Sequence, residues 1–295
     1  MEYGTIIKGV GGLYSVYYQG DVYTCKPRGK FRKDQIKPMI GDNVVLGDFA
    51  ETADGYTAVI DEILERKNSL IRPAVANVDR IVFVIAAVAP MPDLLLLDKM
   101  LAAAKKKNIS AVIVVNKADQ DDKVSESLAD VYKNAATKVI LTCAVEGSGV
   151  ETLENVVSQG ISVMAGQSGV GKSSLVNCLL KNDKMATGGL TKKLDRGRHT
   201  TRHSEMFSVG DGLVIDSPGF SLFELTDVLP TELQLYYPEL SGRVAGCRFM
   251  DCSHTGEPGC CVTELLEKGS FDSGRYERYK IIYKDLKEKE KNKYK

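Results

Sequence analysis

Over the first 66 residues, hydrophobic and polar positions alternate in short runs, as in Gly12-Leu13-Tyr14-Ser15-Val16-Tyr17-Tyr18 and Asp42-Asn43-Val44-Val45-Leu46. Gly, Asp and Pro separate the runs, and a period of two broken by turn residues predicts a small all-β barrel or sandwich. Near residue 78 the pattern changes. Almost continuous apolar runs then alternate with longer helix-forming segments, as expected of parallel strands buried on both faces. These runs predict strands at 80–88, 110–115, 138–142, 161–165 and 213–215. Between the first two, residues 93–107 open on Asp93, continue through Leu and Ala, and close on three lysines. Strong helix formers with charges of that polarity predict a crossover helix. A second helix is expected from Lys172 to about residue 180. The final third is irregular around its cysteines and ends in helix-prone, net basic stretches at 275–280 and 284–295.

Composition narrows the picture. At 295 residues the chain calls for two or three domains, and the pattern places them at 1–66, 67–226 and 227–295. The formal net charge is zero, so any nucleic-acid surface must be local. One candidate is Lys26-Pro27-Arg28-Gly29-Lys30-Phe31-Arg32-Lys33, read as a loop offering positive charges and one aromatic ring. The opening Met1-Glu2-Tyr3-Gly4 lacks the features of a secretion signal, and no apolar window is long enough for a membrane span, so a cytoplasmic protein is expected.

The first candidate chemistry lies after the 161–165 strand. Gly166, Gln167, Ser168, Gly169, Val170, Gly171, Lys172 and Ser173, followed by Ser174, fit the phosphate-loop spacing of Gly, four residues, Gly-Lys-Ser between a strand and a helix. Such glycines let backbone N–H groups close on phosphates at the positive end of a helix, with Lys172 reaching the outer phosphates. Ser173 is placed to bind magnesium. Asn116, Lys117, Ala118 and Asp119 end another strand, where a doubly wound sheet presents ligand contacts. They resemble the guanine-specificity motif of GTPases, whose carboxylate, here Asp119, accepts from the base N1–H and amino group. Alone, the tetrapeptide is also a good surface turn; beside a phosphate loop it favours GTP over ATP. Cys143 and Ala144 resemble the Ser-Ala element that backs the guanine, with Cys143 in the usual Ser place and the Ala144 N–H as the contact.

Asp216-Ser217-Pro218-Gly219 matches the element whose Asp holds magnesium through water and whose Gly senses the terminal phosphate. Upstream, Gly197-Arg198-His199-Thr200-Thr201 supplies hydroxyls for a first switch, Thr201 being favoured over Thr200 as a magnesium ligand. Phe220 follows Gly219 where many GTPases carry the Gln that orients the attacking water. Slow unassisted hydrolysis is therefore expected, with His199 a candidate for positioning water and a solvated loop histidine the plainer alternative.

A second centre is predicted by Cys247, Cys252, His254 and Cys260, three thiolates and one imidazole, the composition of a closed structural zinc site. Cys261 competes for the last position.

The base-reading element precedes the phosphate loop, the reverse of the usual order. That permutation, the β-rich start and the Cys-Cys-His-Cys end make the chain closely similar to the RsgA family of small-subunit-dependent GTPases, over nearly its whole length. The resemblance implies an OB-fold, a circularly permuted P-loop GTPase domain of α/β class and a zinc-binding domain with helices. It further implies a protein, expected to be a monomer without membrane attachment, that binds the small ribosomal subunit and its rRNA in late maturation. GTP hydrolysis to GDP and phosphate, with Mg2+, would be stimulated by that partner. Competing expectations are a GTP-binding regulator of a protein or membrane partner and an RNA-binding protein with a vestigial nucleotide site. Because the chain leaves residues 216–220 directly toward the cysteines, ordering of that segment by GTP is expected to reposition the zinc module.

Overall fold

The computed structural model describes residues 1–33, 36–53, 55–71, 73–186, 205–216, 225 and 228–292. Strands β1 (Glu2–Val10), β2 (Leu13–Tyr18), β3 (Asp21–Pro27), β4 (Asn43–Thr52) and β5 (Gly55–Ile63) close a barrel in the order β1-β2-β3-β5-β4. Its core holds Ile6, Val16, Cys25, Val44, Leu46 and Ile60, the inward residues of the alternating runs. Register shifts in β1 and β4 mark bulges, which bend strands enough to close a small barrel.

The basic stretch departs from its expected form. β3 runs on to Pro27, and Lys30–Lys33 form a helical turn, α1. Phe31 packs into the barrel core at 5% exposure, because an apolar ring beside an open barrel end gains more by burial than in water. The ring is thus not offered to a partner. Arg28 is held by Asp48 and Asp61.

After the barrel come β6 (Ser69–Leu70) and β7 (Val75–Ala76), a small hairpin. Next come β8 (Arg80–Ala86), α2 (Leu94–Lys106), β9 (Ser110–Asn116), α3 (Asp122–Tyr132), β10 (Lys138–Thr142), α4 (Val150–Val157), β11 (Ile161–Gly166) and α5 (Lys172–Ala186). β12 (Glu205–Val209) and β13 (Gly212–Asp216) form a hairpin. The sheet order is β10-β9-β8-β11-β13-β12. β9 and β10 run parallel, as do β11 and β13, and β11 is buried throughout, which is why it reads as an uninterrupted apolar run. Each predicted strand is present: β10 has the predicted ends, β8 stops at Ala86, β9 and β11 each extend by one residue, and β13 extends by one at each end. The Asp93 carboxylate caps α2 through the Leu96 N–H at 2.9 Å, and Asp121 caps α3 through Val124 at 3.0 Å.

The chain forms two compact units: residues 1–80, 151–165 and 173–222, and residues 81–150, 166–172 and 223–295. The second unit contains the irregular segment, with the 3-10 helix Pro230–Tyr236, and ends in α6 (Val262–Glu267) and α7 (Ser273–Asn292). The closing helix forms as expected, but its first basic residues are not solvated. Arg275 is buried between Asp98 and Glu239, and Arg278 also reaches Asp98 at 2.6 Å. Burial opposes the Arg275 charge, and the two carboxylates outweigh it. Removing one member would strand a buried charge at a cost of about 3–5 kcal/mol. These arginines fasten α7 to α2 and leave the more distal lysines as the exposed basic part.

Candidate functional site

In the second unit, backbone geometry explains the glycines of the phosphate loop. A Cβ at Gly166 would lie 2.4 Å from the Val84 carbonyl oxygen. Gly171 has φ +95, and a Cβ there would meet the Asn116 side chain at 2.2 Å. A left-handed backbone and close approach both require glycine. Lys172 bends back over the loop and donates to the Gly166 carbonyl at 2.6 Å and to that of Gln167 at 3.1 Å.

The strand-end motif is tied to that loop. Asn116, buried at the end of β9, donates from Nδ2 to the Val170 carbonyl at 2.8 Å. Its Oδ1 accepts from Thr142 Oγ1 at 3.0 Å and from the Ala144 N–H at 3.2 Å. One amide thereby joins β9, the end of β10 and the phosphate loop. Lys117 adopts a left-handed backbone, φ 59, and its ammonium donates to the Ala89 carbonyl at 2.6 Å. Asp119 is exposed in the short 3-10 helix Ala118–Gln120. Cys143 is buried; burial raises its thiol pKa and the neighbouring Asp119 carboxylate adds to that. Asn116, Thr142, Ala144 and Val170 thus belong to one hydrogen-bonded framework, with Asp119 beside Cys143.

The first unit carries Ser173 and Ser174, exposed in the opening turn of α5, and Asp216, which ends β13 in register with Met164 of β11. His199, Thr200, Thr201, Gly219 and Phe220 lie outside the described residues.

In the second unit, Cys247, Cys252, His254 and Cys260 converge, their ligand atoms all within 4.8 Å of one another. His254 Nδ1 stands 3.6 Å from the Cys247 sulfur and 3.3 Å from that of Cys260. Tetrahedral zinc with ordinary bond lengths sets such atoms about 3.5–3.8 Å apart, so the donor set and spacing fit that ion. Cys261 stands outside the group and turns its backbone N–H toward the Cys247 sulfur at 3.4 Å. Burial pushes the Cys252 thiol up to about 12 and lowers the His254 pKa. In so dry a setting thiolates form only where a cation compensates their charge.

Two supports were not legible in the motif. His254 Nε2 lies 2.7 Å from Gln234 Oε1, which leaves Nδ1 for a metal. Glu257 accepts from the Ser253 and Thr255 N–H groups, both at 2.8 Å, shaping the turn before Cys260. Burial opposes its charge, yet the hydrogen bonds from Ser253 and the turn amides bring its pKa down to about 2. Gln234 lies 20 residues upstream of His254, in a stretch with no ligand-type spacing of its own.

Comparison with known proteins agrees with the geometry. The RsgA N-terminal domain profile matches residues 3–57 and the RsgA GTPase profile residues 63–226. A Ruminiclostridium cellulolyticum protein named small ribosomal subunit biogenesis GTPase RsgA is 45% identical, covering 98% of this chain and 95% of that one. The crystal structure of YjeQ from Thermotoga maritima superimposes with a TM-score of 0.79 at 34% identity, covering 97% of this chain and 98% of that one. YloQ, described as a circularly permuted GTPase, gives 0.76 at 34% identity over 98% and 96% of the two chains. The reversed motif order, the barrel that precedes it and these full-length similarities lead to one conclusion: the chain belongs to the RsgA GTPase family, and is a GTP-hydrolysing enzyme with a circularly permuted GTPase domain.

Proposed function

We propose that the protein binds the small ribosomal subunit and its rRNA during late maturation and hydrolyses GTP when that partner orders its switches. The observation that carries the nucleotide part is the Asn116 amide, which locks the base-reading element to the phosphate loop. In this reading Asp119 accepts from guanine, Lys117 and Ala118 flank the ring, and Ala144, beside Cys143, contacts the base oxygen. Gly166 to Ser174 cradle the phosphates, with the Lys172 ammonium moving from its carbonyl partners onto the outer phosphate oxygens. Ser173, Thr201 and Asp216 would hold magnesium, which would neutralise charge on the phosphates. Gly219 senses the terminal phosphate and His199 positions the attacking water.

The family name of the relatives supports the ribosomal part, as does the Phe220 found where a self-sufficient GTPase carries Gln. Cys247, Cys252, His254 and Cys260 would hold one structural zinc ion, which cross-links a segment built largely of turns and short 3-10 helices. The domain boundaries remain 1–66, 67–226 and 227–295, with a cytoplasmic, monomeric protein. No described helix is long and apolar enough to cross a membrane.

Sedimentation with purified small subunits tests the partner. Binding with a non-hydrolysable GTP analogue and release with GDP is expected; equal recovery in both states would contradict the switch.

A further inference from the structure

One end of the barrel, where β1 starts and the β2–β3 and β4–β5 turns lie, is stopped by four aromatic rings. Tyr23 sits among them, its centroid 5.6 Å from Tyr18, 5.6 Å from Phe49 and 5.3 Å from Tyr56. Tyr18 and Tyr23 pack on the barrel core, but Phe49 is 43% and Tyr56 40% exposed. Closing the barrel does not require rings left this open. Phe49 reaches the cluster from an irregular stretch of β4, where the register shifts between Gly47 and Ala50 and Asp48 has φ +49. A non-glycine residue held in that conformation is a local cost that the fold maintains.

Apart from Arg28, which Asp48 and Asp61 hold, the charge around the rings is negative. Segments 1–3, 17–24 and 48–53, which build this end, contain Glu2, Asp21, Asp48 and Glu51 and neither lysine nor arginine. Glu2 accepts from the Tyr18 hydroxyl, Asp48 pairs with Arg28, and Glu51 stands opposite Tyr56 in register. Phosphates are repelled by such a rim, whereas a guanidinium or ammonium group gains both ring faces and carboxylates.

We propose that this end of the barrel docks a lysine- and arginine-rich polypeptide segment, seating a cationic side chain on the exposed rings of Phe49 and Tyr56 within the Glu2 and Glu51 rim. The surface goes beyond the nucleotide and zinc sites and does not depend on them. It also assigns the barrel a protein partner in addition to any RNA contact elsewhere.

The test titrates the full chain into a fluorescein-labelled 12-residue peptide of alternating Arg and Gly, beside a peptide of alternating Glu and Gly and a 12-nucleotide oligouridylate. The parental protein should bind the arginine peptide, more weakly as salt rises, and not the glutamate peptide. The double variant Phe49→Ala/Tyr56→Ala should lose about tenfold in affinity, and Glu51→Lys, a surface change outside the core, severalfold. GTP turnover should be unchanged in both, which also reports that they fold. Equal peptide binding by all three proteins would overturn the proposal. So would variants that lose oligouridylate but retain peptide, or a parental dimer in sedimentation equilibrium that these substitutions dissociate.

Discussion

Asn116 Nδ2 donates to the Val170 carbonyl at 2.8 Å, a hydrogen bond across 54 residues that fixes the phosphate loop to the end of β9. The same amide's oxygen accepts from Thr142 and Ala144, so a single side chain satisfies three buried or half-buried partners. Asn116→Asp keeps size and the acceptor but sets a carboxylate against the Val170 carbonyl. GTP and GDP affinity should each fall at least tenfold, since a buried hydrogen bond lost with its partner stranded is worth about 1–3 kcal/mol. Fluorescent-nucleotide titration checks this, and parental affinity would show that the bond does not organise the site.

Asp119 is exposed and close to Cys143, and its proposed role is to accept from the guanine edge. Asp119→Asn exchanges a pure acceptor for a group that can donate, matching xanthine in place of guanine. Preference should move from GTP toward xanthosine triphosphate in a competition assay. Retained guanine selectivity would remove Asp119 from base reading.

The metal assignment distinguishes neighbours. Cys260→Ser should lower zinc content well below one ion per chain, whereas Cys261→Ser should leave it near one, because only Cys260 joins the converging group. Gln234→Ala should weaken zinc about 10–100-fold in chelator competition, the usual loss when a histidine ligand's outer partner is removed. Mass spectrometry under non-denaturing conditions reads the first two; the reverse pattern would exchange the cysteines' roles.

Asp79 accepts from the Ile161 N–H at 2.7 Å and from Lys67. Burial raises its pKa, but these donors outweigh burial and hold it below the usual value. A lowered folded pKa means that its stabilisation is complete above the unfolded carboxylate pKa of about 4 and is lost as pH falls through the folded value. Asp79→Asn should therefore melt lower at neutral pH and converge on the parental Tm in acid. Parallel Tm curves for the two proteins would contradict this role.

The parts most legible in the sequence were those whose chemistry is local. Glycine spacing at Gly166 to Gly171 follows from backbone clashes within a few residues, and the β11 run shows double-sided burial without reference to its neighbours. The long-range partners were not legible. Arg275 reads as part of a basic tail until Asp98, 177 residues away, is placed beside it, and Phe31 reads as an exposed ring until the barrel closes over it. Gln234 carries no signal as a partner of His254, since any polar residue fits a half-buried position of that 3-10 helix. Register and packing decide these three, and a linear pattern does not encode them.

A GTPase that works through its partner is the central claim, and hydrolysis measured with and without purified small ribosomal subunits tests it most directly. The chain alone should turn over GTP slowly, and small subunits should raise the rate by at least an order of magnitude, with Lys172→Ala inactive in both conditions while folded. A rate that small subunits leave unchanged would contradict the claim.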